Sequence, residues 1–270
     1  MNRMFWGILI AAAPSVARGQ SFDAGAQFSA TSNPTGAWSY GEQPTVGGAF
    51  SLFEHQIEFG IGGYFWGPAA APGSPPFIGK NTTESPVFIP GDPVLPPGTT
   101  MFHPGPIGQR AVVRWTSPGA GNADVYVYVG GVAVDQAFAS SDVAIVHNES
   151  ILAASSDYSN SMEYSFSTRI AVQQGDTVDL SQGFGTNGDY FNDSTAFRFT
   201  MVLNRCIADL TGDSLVDDGD FAVFAPAYNL LDCADPAMPP NCPADINRDT
   251  FVDDADFTIF AVGYNELICP

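Results

Sequence analysis

The chain has 270 residues, of which 45% are hydrophobic, and a net charge of −20. The hydrophobic content is enough for a packed core and excludes a disordered chain. The charge excludes a nucleic-acid-binding protein, because only 9 Lys and Arg residues are present to neutralise a phosphate backbone. The 28 glycines and 21 prolines are typical of short strands joined by tight turns rather than of helical bundles.

Residues 1–19 have the pattern of an export signal peptide. Arg3 supplies a positive charge, and a run of nine apolar residues follows it. Small residues at Ala17 and Gly19 suit a signal peptidase, which places the expected cleavage before Gln20. The apolar run is too short to span a bilayer, and no later stretch is long enough. The sequence therefore predicts a secreted, extracellular protein without a membrane span, either free or associated with the cell surface.

Residues 20–204 are predicted to form one β-rich domain. Six segments are rich in β-branched and aromatic residues, and turn residues separate them at the spacing of a sandwich. The segments are 111–115, 124–129, 142–148, 162–172, 176–180 and 196–203. We predict a mostly β fold, an antiparallel β-sandwich of jelly-roll type. Between residues 67 and 106 the chain is dense in proline, which predicts an irregular loop region.

Exposed aromatic side chains on such a sandwich can bind a polysaccharide, because their flat faces stack on sugar rings. The candidate glycan ligands are Trp38, Tyr40, Trp66 and Trp115, each with a core position as the alternative. No GxSxG, HExxH or Gly-rich phosphate motif is present. An acidic pair such as Asp176 and Asp179 has the chemistry for glycoside hydrolysis, but acids at that spacing are more often surface residues. The sequence favours a non-catalytic protein.

The C-terminal region, residues 206–270, repeats itself at a period of 36. CIADLTGDSLVDDGDFAVFAPAYN, which begins at Cys206, matches CPADINRDTFVDDADFTIFAVGYN, which begins at Cys242. The region holds 13 acidic residues and one basic residue. Carboxylates at this density either repel one another into disorder or hold a cation.

Each copy places oxygen-bearing residues at positions 1, 3, 5, 9 and 12 of a twelve-residue loop, and a backbone carbonyl at position 7 adds a sixth ligand. The predicted metal ligands are Asp209, Thr211, Asp213, Leu215, Asp217 and Asp220 in loop one, and Asp245, Asn247, Asp249, Phe251, Asp253 and Asp256 in loop two. A hard cation takes six to eight oxygens, so the spacing predicts two calcium ions as cofactors. The alternative is a pair of solvated Asp-rich turns, which two copies in register disfavour. Apolar residues at helical spacing follow each loop, so each copy is predicted to be a loop–helix half of an EF-hand.

All four cysteines lie in this tail: Cys206, Cys233, Cys242 and Cys269. An even number in a small exported domain predicts disulfides. Antiparallel packing of the two halves favours Cys206–Cys269 with Cys233–Cys242. The competing pairing is Cys206–Cys233 with Cys242–Cys269.

The pattern D-x-[NT]-x-D-x-x-V-D-x-x-D followed by a helix, present twice, resembles a type I dockerin domain. That resemblance covers residues 205–270 and implies two calcium ions and a cohesin partner on a scaffold that gathers polysaccharide-degrading enzymes. Two features depart from the family. Position 6, where the family has glycine, is Ser214 in loop one and Thr250 in loop two, at a cost of about 1 kcal/mol or more. Asp218-Gly219 and Asp254-Ala255 replace the hydroxyl pairs that recognise cohesin, so the partner could be another surface protein.

Three segments in residues 20–204 resemble an exported jelly-roll module that occurs beside dockerin-like or sorting segments in environmental bacteria. They are NPTGAWSYG at 33–41, FHPGP with AVVRWTSP at 102–118, and GDTVDL with NDSTAF at 175–197. Three functions remain open for the whole chain. They are a glycan-binding protein with a calcium-stabilised docking tail, a structural cell-surface protein, and a polysaccharide-degrading enzyme.

Overall fold

The computed structural model contains sixteen β-strands and two α-helices within the residues that it describes. Those residues are 19–59, 62–69, 74–88, 94–131, 140–157, 163–204, 207–213, 215–247 and 249–266. The first 18 residues of the expected signal peptide, Cys206, Ser214 and Cys269 fall outside them. The chain divides into two compact units between Leu203 and Asn204. In the described part of the chain, no helix is long and apolar enough to cross a membrane.

The first unit is built from antiparallel strands. In chain order they are β1 (Gln20–Asp23), β2 (Trp38–Gln43), β3 (Ser51–Leu52), β4 (His55–Phe59), β5 (Gly63–Gly67), β6 (Phe77–Asn81), β7 (Val87–Phe88), β8 (Val94–Leu95), β9 (Thr100–His103), β10 (Arg110–Thr116), β11 (Gly121–Gly131), β12 (Ser141–His147), β13 (Ser150–Asp157), β14 (Glu163–Val172), β15 (Thr177–Gly183) and β16 (Thr195–Asn204). Each of the six segments predicted from its β-branched and aromatic content forms a strand, so those predictions are confirmed.

The strands form two sheets with jelly-roll topology. The larger sheet has the order β14-β11-β16-β9-β6-β5-β4, with β1 paired to β16, and the six-stranded sheet has the order β13-β12-β15-β10-β2-β3. From β9 to β16 the chain changes sheet at every step except the β12–β13 hairpin. This gives two four-stranded sets, β14-β11-β16-β9 and β13-β12-β15-β10, which is the double Greek-key order of a jelly roll. The predicted fold class is confirmed.

The core of the sandwich follows from the two-residue alternation of its strands. In β11 the side chains of Val125, Val127 and Val129 are buried, whereas Tyr126 and Tyr128 lie on the opposite, exposed face. Since successive side chains in a strand point to opposite faces, one row packs between the sheets and the other faces solvent.

The proline-dense stretch between residues 67 and 106 is not an irregular loop, so that prediction was wrong. Strands β6 and β9 lie inside the larger sheet and pair with each other from Phe77 opposite His103 to Lys80 opposite Thr100. The two strands contain no proline, and the described prolines of this region fall in the connections between strands. Proline is tolerated there because no ladder hydrogen bond is lost.

The second unit contains α1 (Asp218–Leu230) and α2 (Asp254–Glu266), each preceded by an Asp-rich loop. The two helices pack through Phe224 and Phe260, whose stacked rings lie 4.9 Å apart. Val216 and Val252, which precede the helices in corresponding positions of the two loops, are fully buried in the same cluster. The cluster also contains Ala208 and Ala227 from the first half and Ala244 from the second, so the two halves share one core. The predicted loop–helix halves are therefore present.

Candidate functional site

Each Asp-rich loop ends in the cap of the helix that follows it. Asp217 is the N-cap of α1, and its side chain accepts a hydrogen bond of 2.7 Å from the Gly219 backbone N–H. The side chain of Asp220 reaches back to accept from the Asp217 backbone N–H at 2.9 Å, which completes a capping box. In loop two, Asp253 accepts from Ala255 N–H at 2.8 Å and Asp256 from Asp253 N–H at 3.0 Å. The same sequence spacing thus yields the same cap twice.

The last carboxylate of each loop ties the loop closed. Asp220 is fully buried, and its Oδ1 accepts from the N–H groups of Leu210 at 2.7 Å and Thr211 at 2.8 Å. Burial opposes ionisation of Asp220, but these backbone donors outweigh it, so its pKa lies below the ordinary value. Asp256, also fully buried, accepts from Ile246 at 2.8 Å and Asn247 at 2.9 Å. Both carboxylates are therefore held in place by the start of their own loop.

Three carboxylates converge in each loop. In loop one they are Asp209, Asp213 and Asp220, and each offers an oxygen within 4.8 Å of the others. In loop two Asp245, Asp249 and Asp256 meet the same limit. Three like charges at this separation repel one another unless a cation lies between them. Carboxylate oxygens are the ligands that calcium prefers, so the donor set fits the ion predicted from the spacing.

The remaining predicted ligands lie around these clusters. Thr211 Oγ1 donates to Asp209 Oδ1 at 3.4 Å, and Asn247 Nδ2 donates to Asp249 Oδ2 at 2.9 Å. The position-9 residues Asp217 and Asp253 serve as helix caps. The position-7 residues Leu215 and Phe251 have no side-chain oxygen, so only their backbone carbonyls could bind a cation. Their backbone N–H groups donate to Asp213 Oδ1 at 2.9 Å and to Asp249 Oδ1 at 3.0 Å. The structure thus brings positions 1, 5 and 12 together and places positions 3, 7 and 9 beside them.

The position normally occupied by glycine is strained in loop two. Thr250 has φ of 79°, the left-handed region that β-branched residues rarely adopt. This agrees with the expectation that a non-glycine residue at position 6 costs stability. Its counterpart in loop one, Ser214, lies outside the described residues.

Two crossed tyrosine–aspartate hydrogen bonds join the halves of the tail. Tyr228 in α1 donates to Asp254 Oδ1 at the start of α2, and Tyr264 in α2 donates to Asp218 Oδ1 at 2.5 Å. Hydrogen bonding to these carboxylates raises the pKa of both tyrosines. Asp218 and Asp254 begin the two residue pairs that the sequence analysis compared with the hydroxyl pairs of dockerins. Here they hold the two helices together.

A disulfide supports loop two. Cys233 and Cys242 are bonded, as the favoured pairing predicted, while Cys206 and Cys269 lie outside the described residues. Cys233 Sγ lies 3.5 Å from Oδ2 of Asp245, the first predicted ligand of loop two. The backbone of the same segment pairs with the loop, since Cys233 N–H donates to the Thr250 carbonyl at 3.1 Å. The disulfide therefore fixes the chain that frames the carboxylate cluster of loop two.

The four aromatic residues proposed as sugar-stacking ligands are core residues instead. Trp38, Tyr40 and Trp115 are fully buried, and Trp66 is 6% exposed. Trp38 packs edge-on against Phe199 at 5.0 Å, and Tyr40 donates to the Ala24 carbonyl. Their flat faces are covered by other side chains and cannot stack on a sugar. The sequence showed that they are aromatic but not which face of the strand points inward.

A groove that the sequence analysis missed lies on the outer face of the larger sheet. It encloses ≈ 370 Å³ between neighbouring strands β14, β11 and β16. Tyr126 and Tyr128 are 50% and 36% exposed, and in register they face Ser167 and Ser165 on β14. The small serines leave the tyrosine rings uncovered, and Arg198 of β16 lies 5.9 Å from the Tyr128 ring centre. The alternation in DVYVYV, with valines in one row and tyrosines in the other, was the signal available for this groove.

Comparison with known proteins gives no family for this chain. No protein-family model matches it, and no curated protein matches it. Among solved structures, the CBM51 module of Clostridium perfringens GH95 in complex with methyl-galactose is 12% identical, with a TM-score of 0.28 over 38% of this chain and 68% of that one. A family 35 carbohydrate binding module from Clostridium thermocellum is 12% identical, with a TM-score of 0.25 over 38% of this chain and 75% of that one. Rabbit GITRL is 18% identical, with a TM-score of 0.23 over 33% of this chain and 69% of that one. Likenesses at these scores do not bear on what this chain binds.

Proposed function

We propose that the chain is a secreted, non-catalytic binding protein whose tail binds two calcium ions and serves as a docking module. The observation that carries the proposal is the duplicated convergence of three carboxylates per loop, each ending in a buried aspartate. Two independent loops with the same convergence favour a pair of cation sites over solvated turns. Calcium would supply the positive charge that holds Asp209, Asp213 and Asp220 together, and the corresponding carboxylates of loop two.

Isothermal titration of the full chain with calcium, after chelation, tests this proposal. We expect two equivalents of calcium to bind and helical circular dichroism to increase, because coordination energy contributes to folding in such loops. Asp209→Ala should remove one equivalent, whereas Asp235→Ala, which changes an acid outside both loops, should leave both. A helical signal that is the same with calcium and with chelator would contradict the proposal.

A cohesin-like module or another surface protein is the proposed partner of the tail. A shallow apolar surface between α1 and α2 supports this, with Phe221 and Phe257 46% and 45% exposed at its edge. Asp218 and Asp254 already accept hydrogen bonds from tyrosines. Contact with the partner would therefore depend on the rings of Phe221 and Phe257 more than on the positions that dockerins use to recognise cohesin. Surface plasmon resonance against a type I cohesin, with calcium and with chelator, tests the partner. Binding that is equal in both conditions or absent in both would contradict a calcium-dependent cohesin contact.

A second function, glycan recognition by the sandwich, is favoured by the groove of Tyr126 and Tyr128. Two half-exposed tyrosines in one row, flanked by hydroxyls and Arg198, offer stacking faces and hydrogen-bonding groups together. Affinity electrophoresis of the full chain in calcium, against plant, algal and microbial polysaccharides, should show retardation by at least one polysaccharide. Tyr126→Ala should abolish it, and Phe88→Ala, which removes another exposed aromatic ring, should not. Uniform migration across the panel would rule out this function.

A further inference from the structure

The outer face of the six-stranded sheet carries a separate polar cavity of ≈ 420 Å³. Its floor is formed by Arg114 of β10, Asp179 of β15 and Gln43 of β2. One wall is the segment 47–50, and the other is the Asn148-Glu149 turn of the β12–β13 hairpin. Both turn residues have positive φ, 45° and 71°, as a tight two-residue hairpin requires. The volume lies within the usual range for small-molecule sites.

The floor is rigid and its charges are paired. Arg114 and Asp179 are opposite each other in the β10–β15 register, and Arg114 donates to both carboxylate oxygens at 2.7 and 2.8 Å. Gln43 Nε2 donates to the same carboxylate at 2.9 Å. The Arg114 guanidinium lies 4.2 Å from the centre of the Phe50 ring. Such a bidentate, stacked arginine keeps one geometry, so its remaining N–H groups point in fixed directions.

Phe50 can occupy this position because β2 carries a glycine beneath it. A Cβ on Gly41 would lie 2.6 Å from the Phe50 ring and 2.2 Å from the Ser51 carbonyl. Glycine at this point therefore allows the loop to fold down and form the wall of the cavity.

One donor group of the floor and one acceptor group of the wall are available to a ligand. The bonds of Arg114 to Asp179 use Nε and Nη2, which leaves the two N–H groups of Nη1 for another acceptor. The Glu149 carboxylate on the wall accepts hydrogen bonds. Gln43 Oε1 also lacks a partner among the described residues, but it is closed to solvent and lies out of a ligand's reach. A ligand hydroxyl both donates and accepts, so it fits Arg114 Nη1 together with Glu149.

The charges around the cavity select the class of ligand. Arg114 and Asp179 neutralise each other, and Glu149 adds a negative charge at the wall. The negative charge of Glu149 disfavours an anionic ligand, and the guanidinium of Arg114 on the floor disfavours a metal cation. We propose that this cavity binds a neutral polyhydroxyl ligand, a single hexopyranose unit, with Arg114 Nη1 and the Glu149 carboxylate as its hydrogen-bonding partners. This site lies on a different sheet from the tyrosine groove and goes beyond the function proposed for that groove.

The test is an NMR titration of the full-length, calcium-loaded chain that follows the Arg114 side-chain Nε–H. The probes are glucose, galactose, mannose and N-acetylglucosamine, with galacturonate as the anionic counterpart of galactose. At least one neutral sugar should give a saturable shift at millimolar concentration, with galacturonate about tenfold weaker than galactose or more. Ala49→Trp, at an exposed position that lines the cavity, should weaken binding by about tenfold or more. Ala26→Trp, at an exposed alanine that does not line the cavity, should stay within about twofold of the wild type.

A further variant tests the charge argument without touching the floor. Glu149→Gln removes the wall charge and should narrow the difference between galactose and galacturonate. The proposal is overturned if no neutral sugar shifts the Arg114 signal, if Ala49→Trp leaves the shift unchanged, or if galacturonate binds as well as galactose to the wild type. A sugar response that is lost in Tyr126→Ala but kept in Ala49→Trp would place binding in the groove. That outcome preserves the proposed glycan function and overturns this second site.

Discussion

Replacing Asp220 with asparagine should unfold much of the tail, although the side chain keeps its shape. One carboxylate oxygen of Asp220 accepts two backbone N–H groups and the other accepts a third. In Asp220→Asn an NH₂ group replaces one oxygen, so a buried N–H group loses its acceptor at about 1–3 kcal/mol. The two bonds kept by the other oxygen lose a charged acceptor, at about 1 kcal/mol each. The total is about 3–5 kcal/mol, comparable to the stability that the core of a domain this small supplies.

The measurement is thermal unfolding of the full chain in saturating calcium, where the cation offsets repulsion among the carboxylates. Circular dichroism reports the tail, because both described helices lie there, and tryptophan fluorescence reports the sandwich, because the tail has no tryptophan. The helical transition should fall by about 12 °C or more while the fluorescence transition stays unchanged. Asp232→Asn is the matched control, since Asp232 is exposed and accepts one backbone N–H. If Asp220→Asn melts like this control, the three backbone bonds do not hold the loop as argued.

Three further predictions concern other contacts. Tyr228→Phe and Tyr264→Phe should each lower the melting temperature of the tail by a similar small amount, and a double-mutant comparison should show additivity, since the two crossed bonds share no atoms. Replacing Cys233 and Cys242 together by alanine should cost about 2.5 kcal/mol from loss of a nine-residue closure and should weaken calcium at loop two more than at loop one, as separate-site titration would show. Asp176→Asn should lower the stability of the sandwich at neutral pH. Burial opposes the charge of Asp176, but its hydrogen bonds outweigh burial and its pKa lies below the ordinary 3.8. Its stabilisation is present above pH 3.8 and is lost as pH falls through the folded pKa, so melting curves of wild type and variant should converge in acid.

Local patterns predicted most strands in the second half of the sandwich and the two loop–helix repeats of the tail. Six of the seven strands from β10 to β16 coincide with segments rich in β-branched and aromatic residues, several of which alternate, whereas β13 (Ser150–Asp157) was not predicted. In the tail, Asp209 and its counterparts recur at fixed spacing, and the convergence of three carboxylates in each loop involves residues at most eleven apart in sequence. An arrangement of this kind can be predicted from sequence because it depends on neighbouring residues and not on contacts between distant parts of the chain.

Non-local arrangement explains what the sequence could not show. Strands β6 and β9 are short, and the prolines around them hide their pairing, which joins residues twenty or more apart in sequence. Trp38 and Tyr126 both occur in alternating segments. Trp38 faces the opposite sheet and is buried, whereas Tyr126 faces solvent. The cavity of Arg114 and Asp179 joins residues 65 apart in sequence, and only the sheet order brings them together.

The position of β16 has a consequence for the order in which the sandwich forms. This strand, the last of the unit, lies between β11 and β9 and also pairs with β1, so Gln20 meets Leu203. During synthesis, β9 and β11 must wait with unpaired edges until residues 195–204 become available. Pairings of such long sequence separation are slow, and open strand edges in the meantime invite association with other chains. Truncation before residue 204 should therefore yield aggregates rather than a smaller folded sandwich, and the slowest folding phase should be insertion of this final strand.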